Sequence, residues 1–115
     1  MTDMHIDHKV LSDLQEVMED GYLQLLETFL EDSERRLSQL HGARSADELG
    51  MAAHSFKGSS SNMGAARLAK LCEQLEQRVR ERPLHGIEDL IQRIDQEYLE
   101  VERFYRGERE RVSAG

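Results

Sequence analysis

The stretch AHSFKGSSSNMG, residues 53–64, holds the combination of side chains best suited to chemistry. His54 is followed by Lys57 three places on and Gly58 four places on, so in a helix all three share one face within a single turn. An imidazole nitrogen can attack phosphorus and hold a phosphoryl group. The added dianionic charge needs a cation close by, which Lys57 supplies. The attacking partner needs room, and the missing Cβ at Gly58 provides it. Met51, one turn earlier, offers apolar area for docking. Each residue also has a plainer explanation: a surface histidine, a solubilising lysine, an edge methionine of the core. Gly58 is hardest to explain that way, because glycine inside a helix costs ~1 kcal/mol relative to alanine.

The elements that must position these residues read as helices. Apolar residues recur at helical spacing in five segments. Val10, Leu11, Leu14, Val17 and Met18 form a short first stripe; Tyr22, Leu26, Phe29, Leu30, Leu37 and Leu40 form a longer one. Leu49, Ala53, Phe56, Ser60 and Met63 make a third, and Leu68, Leu71, Cys72, Leu75 and Val79 a fourth. Ile87, Leu90, Ile91, Ile94, Tyr98, Val101 and Tyr105 complete the set. Ser45 with Glu48 reads as a capping box, Gly64 as the turn between the third and fourth helices and a cap for the fourth, with Met63 and Leu68 as its staple, and Pro83 as a stop. Nothing reads as a strand. The expectation is all-α: an antiparallel up-down-up-down four-helix bundle with a short extra N-terminal helix. The helices fall at roughly 8–19, 21–41, 46–61, 65–82 and 85–106 of a single domain spanning 1–115, followed by a frayed polar tail, 107–115.

If Leu49, Ala53, Phe56 and Ser60 face inward, the other side of that helix carries Gly50, Met51, His54, Lys57, Gly58 and Ser61. The segment HSFKGSSSNMGAARLAKLCEQLE, 54–76, then resembles histidine-containing phosphotransfer (HPt) domains, whose core reads roughly H-x-φ-K-G-[SA]-[SA]-x-x-φ-G with φ apolar. His54, Phe56, Lys57, Gly58, Ser59, Ser60, Met63 and Gly64 match it, and LQEVMEDGYLQLLETFLEDSERRL is similar to the bacterial stand-alone HptB type. The resemblance implies a phosphocarrier in a multistep two-component phosphorelay. His54 would take a phosphoryl group at Nε2 from the receiver-domain aspartate of a hybrid sensor kinase. It would then pass the group to the aspartate of a response regulator. The resemblance also implies that Mg²⁺ belongs to the receiver, so that this chain needs no cofactor of its own. Glu76 matches the position whose side chain accepts a proton from the other ring nitrogen in similar domains; a solvated helix face explains it equally well. Ser61 and Met51 join it as candidate binding residues.

Composition bounds the alternatives. The chain has 115 residues, 38% hydrophobic and 33% charged, with a formal net charge of −8. That balance disfavours nucleic acid and anionic membrane surfaces as partners. One cysteine, Cys72, permits no intrachain disulfide, and a cytoplasmic monomer is expected, free-standing because Met1 precedes a complete bundle. No G-x-x-x-x-G-K-[ST] loop occurs, so neither ATP binding nor autophosphorylation is expected. DMHIDH, 3–8, fits no strong zinc spacing and reads as a disordered tail; no metal site is expected, and the core stripes lack the inward carboxylates of a metal-binding bundle. His41 and His85 sit at helix ends without assigned chemistry, and Cys72 reads as packing. Ser61 is the only serine on the face of His54, two turns away, which argues against a serine nucleophile. The competing function is a helical interaction module that binds a receiver or regulator without carrying phosphate.

Overall fold

The leucine and aromatic stripes resolve into helices packed along their apolar seams. The structure, a computed structural model, describes residues 4–81 and 85–114. Helix α1 spans His8–Met18, and a 3₁₀ turn follows at Glu19–Gly21. Then come α2 (Tyr22–Gly42), α3 (Ala46–Asn62), α4 (Ala66–Arg78) and α5 (Ile87–Ala114). No strand occurs among the described residues.

Cross-contacts fix the directions. Between α2 and α5, Tyr22 meets Glu108, Leu30 meets Tyr98 and His41 meets Asp95, so residue numbers run oppositely. Between α4 and α5, Arg67 meets Glu97 and Arg78 meets His85 at the loop before α5. On the diagonal, Phe56 packs near Tyr98, and the Tyr105 hydroxyl donates to the Met63 carbonyl at 2.6 Å, so α3 and α5 run the same way. This is the up-down-up-down order. The centre holds Tyr22, Leu26, Phe56, Leu68, Leu75, Ile94, Val101 and Tyr105, all fully buried. Burying these side chains is the main stabilising term, at ~25 cal/mol per Å² of apolar surface. Cys72 lies among them, and burial pushes its thiol up to about 12.

Three features differ from the expectation. Val17 and Met18 are exposed rather than core, because the backbone turns out of α1 at Glu19 with φ +48°. Helix α4 stops at Arg78, where the amides of Arg80 and Glu81 bond three residues back to Gln77 and Arg78. Pro83, expected to stop that helix, lies outside the described residues. The frayed tail is instead helix. α5 continues to Ala114 because Glu108 accepts from the Tyr22 hydroxyl at 2.8 Å and from Arg111, while Val112 packs on the core.

The N-terminal segment is also ordered from Met4. Ile6 is buried, His5 Nδ1 lies 2.6 Å from Glu97 Oε2, and the Asp7 amide donates to the Gly64 carbonyl at 2.7 Å. Asp7 then caps α1 through its side chain. Gly64 is not the cap of α4 but does make the turn expected of it between the third and fourth helices. Ala65 is the N-cap of α4, and Gly64 makes the turn at φ +83°, where a Cβ would stand 2.9 Å from the Asp7 carbonyl oxygen. Gly64→Ala is expected to lower the unfolding free energy by about 1–3 kcal/mol, since both the conformation and the contact exclude a side chain. Urea unfolding followed by circular dichroism measures it.

Candidate functional site

Helix α3 starts where the sequence placed it. Ser45 Oγ accepts from the Glu48 amide at 3.1 Å, and the Glu48 carboxylate accepts from the Arg44 amide at 2.7 Å, one residue before the usual capping-box donor. Leu49, Ala53, Phe56 and Ser60 face the core, so His54 points outward. Small residues bring α3 and α4 close together. Ala53 and Ser60 are fully buried, and a Cβ on Gly50 would meet Val79 at 3.2 Å. Gly50 thus sits at the edge of the open face, against the helix contact.

That close approach lets Glu76 of α4 reach across. Its Oε2 lies 2.7 Å from His54 Nδ1, and its Oε1 accepts from Lys57 Nζ at 2.7 Å. The imidazole is 66% exposed while the carboxylate is 10% exposed, so a shielded anion backs an accessible ring. Arg80, one turn further along α4, stands 3.6 Å from the same Oε2. The hydrogen bond from Lys57, then that from His54, holds the Glu76 carboxyl below the usual carboxylate value against the opposing effect of burial. An ionised carboxylate only accepts, so Nδ1 carries the proton of the neutral ring and Nε2 keeps the lone pair. Nε2 has no hydrogen-bond partner among the described residues.

Of the residues singled out from sequence, His54, Lys57 and Glu76 come together. Met51 is exposed and shares a recess with Gly50, His54, Glu76 and Arg80. Nothing lies within 4 Å of the Cβ position of Gly58. Ser61 is exposed in a separate groove with Lys57 and Gly58 and does not reach the imidazole. Lys57 is not a lone cation over the ring; its ammonium is engaged by Glu76. Arg80 is a neighbour of the site that the sequence motif does not include, and its four-residue spacing from Glu76 is the signal that could find it. The histidines of the N-terminal segment diverge, His5 to Glu97 and His8 edge-on to Phe104. Among the described residues no group of three or more His, Cys, Asp or Glu side chains is placed to hold a metal ion. Nor is any helix among them long and apolar enough to cross a membrane.

A helical bundle that presents the His54 imidazole to solvent with the shielded Glu76 carboxylate behind it is chemically able to carry a phosphoryl group. The family comparison gives the same class: the Hpt domain family model matches residues 24–104, and the chain belongs to that family. It is a histidine phosphotransfer protein of a phosphorelay. Its structure is similar to the crystal structure of histidine-containing phosphotransfer protein B (HptB) from Pseudomonas aeruginosa PAO1. The TM-score is 0.92 at 46% identity, covering 96% of this chain and 98% of that one. No curated protein matches the chain.

The Glu76 geometry has a pH signature. Because its folded value lies below the 4.5 of a free carboxyl, its stabilising contribution is complete above that pH and is lost as pH falls through the folded value. Wild-type protein is therefore expected to lose stability more steeply below about pH 4.5 than Glu76→Gln does. Urea midpoints measured across that range compare the two.

Proposed function

We propose that His54 is the phosphoacceptor, that Glu76 orients it, and that Lys57 and Gly58 serve charge and access. The Nε2 lone pair attacks the phosphorus of a receiver-domain aspartyl phosphate on a hybrid sensor kinase. The N–P bond forms as the P–O bond to the aspartate breaks, and the aspartate leaves as a carboxylate. With Nδ1 still protonated the ring becomes cationic, and the Glu76 carboxylate 2.7 Å away stabilises that charge. The reverse displacement delivers the phosphoryl group to the aspartate of a response regulator. The positive charge on Lys57 offsets the dianion, and the bare backbone at Gly58 lets the partner's surface approach. Met51 adds apolar contact beside the ring, and Ser61 lines the adjoining groove. The receiver brings the Mg²⁺, and this chain, a monomer in the cytoplasm, acts as a carrier with neither autokinase activity nor a cofactor of its own.

The observation that carries the reading is the exposed imidazole whose Nδ1 is committed to a shielded carboxylate. It favours a carrier over a docking module without phosphate, because a docking surface has no need to fix a tautomer. Incubation with a ³²P-labelled receiver is expected to label wild-type protein with acid-labile, base-stable phosphate. His54→Gln should take no label, whereas His41→Gln and His85→Gln should label normally; label on the His54→Gln protein would overturn the assignment. Gly58→Gln is expected to stabilise the bundle by up to ~1 kcal/mol, because glycine is a poor helix former and nothing crowds the site. The same variant should slow transfer at least tenfold, since a long side chain then stands where the partner docks. Denaturation and transfer kinetics on one preparation check both halves.

A further inference from the structure

We infer that Glu76 sets how long His54 holds its phosphoryl group: by retaining the proton on Nδ1 after phosphorylation, it keeps the ring a ready donor at a pH where a free phosphohistidine is already inert. The inference deepens the carrier reading above and rests on it.

A ring phosphorylated at Nε2 exists in two protonation states. With Nδ1 protonated, the P–N bond breaks to release a neutral imidazole, and the bonding pair stays on Nε2. With Nδ1 bare, the same bond must release an imidazolate anion, a far poorer leaving group. Decay in water therefore runs through the protonated ring. Water adds to phosphorus, the P–N bond breaks, and neutral imidazole and dihydrogen phosphate separate. Whatever holds the Nδ1 proton governs delivery to a partner and loss to water alike.

Glu76 Oε2 lies 2.7 Å from Nδ1. Phosphorylation turns that contact from a neutral donor on an anion into a cation on an anion, which is the stronger kind. The carboxylate is only 10% exposed, so water competes little for it, while the ring is 66% exposed and leaves phosphorus open to attack. Three other charges surround the pair. Lys57 takes the opposite oxygen, Oε1, and Arg80 stands 3.6 Å from Oε2. Both oppose retention of the proton, but neither bonds the ring, and Arg80 is mostly in water, where its influence is screened. Asp47 shares the recess but is exposed and seven residues back along α3, about 10 Å away at the helical rise and beyond the screening length of about 8 Å. The direct contact decides the sign. Glutamine at this position could still accept from Nδ1, but without charge. A carboxylate makes a fast, short-lived store; an amide would make a slower, longer-lived one.

The test is the decay of phosphorylated protein across about pH 5.5–9, the range in which imidazoles change charge. Phosphoramidate, a small N–P donor, loads the ring without any receiver, and ³¹P NMR follows the decay. His54→Gln, treated alike, identifies the resonance that belongs to His54. Glu76 stays ionised throughout, because its folded value lies below the usual 4.5. Wild-type decay should slow, as pH rises, about one unit later than that of free Nε2-phosphohistidine. Glu76→Gln should slow about one unit earlier than wild type and decay roughly fivefold more slowly at about pH 8.5. At about pH 5.5 the order should reverse, since both rings are then protonated and the one that holds its proton more firmly parts from phosphorus less readily. Crossing curves mark a proton held by a charge; a ring merely misplaced changes decay in one direction at every pH. A wild-type curve that coincides with free phosphohistidine overturns the inference without recourse to a variant, and so do parallel curves for wild type and Glu76→Gln. In either case label passed from a receiver to His54 leaves the carrier reading standing. If neither phosphoramidate nor any receiver phosphorylates His54, both fall together.

Discussion

The Glu76 carboxylate is almost withdrawn from water, and two hydrogen-bond donors from α3 share it, the His54 ring at one oxygen and the Lys57 ammonium at the other. A charge in that position is costly unless it is paired, so the arrangement is a requirement of folding as much as of chemistry. The carboxylate can reach only because α3 and α4 lie close, and they lie close because Gly50, Ala53 and Ser60 keep the seam thin. From that spacing follow the fixed tautomer, the free lone pair and the outward attitude of the ring. Packing volume on one side of α3 thereby sets proton location on the other.

The same device recurs along the molecule. Glu97, nearly buried on α5, holds His5 at one oxygen and Arg67 at the other. Glu108, further along α5, takes the Tyr22 hydroxyl and Arg111. Each ties elements that are distant in sequence, and together they fasten the N-terminal segment and the first turn of α2 onto the long last helix. Tyr22, Tyr98 and Tyr105 all end their buried rings in a hydrogen bond, as a phenol inside a core must, and burial pushes all three hydroxyls up.

The bundle and the outward face of α3 were legible because they depend on periodicity, and Leu49, Phe56 and the capping serine carry that signal locally. His54 with Lys57 and Gly58 was legible for the same reason, since all three lie on one turn. The Glu76 contact was only half legible: helix phase put it on a face near the core, but its reach depends on the distance between two helices. The misread parts share a cause. Val17 and Met18 continue an apolar stripe, yet the chain turns away at Glu19. The segment 107–114 looks too polar to be held, but Glu108 ties it to Tyr22 at the start of α2 and Val112 packs on the core. Ile6 is a single apolar residue in a polar run, and no local pattern reveals that it joins the core.

Cys72 gives the carrier an unplanned convenience. Sealed in the interior with its thiol held at about 12, it stays protonated at neutral pH and out of reach of reagents in solution. The folded protein is therefore chemically blank toward maleimides and disulfide exchange. A single cysteine introduced on any outer face would be its sole reactive handle, so a fluorophore or spin probe can be attached at one chosen position without first stripping the native sulfur from the core.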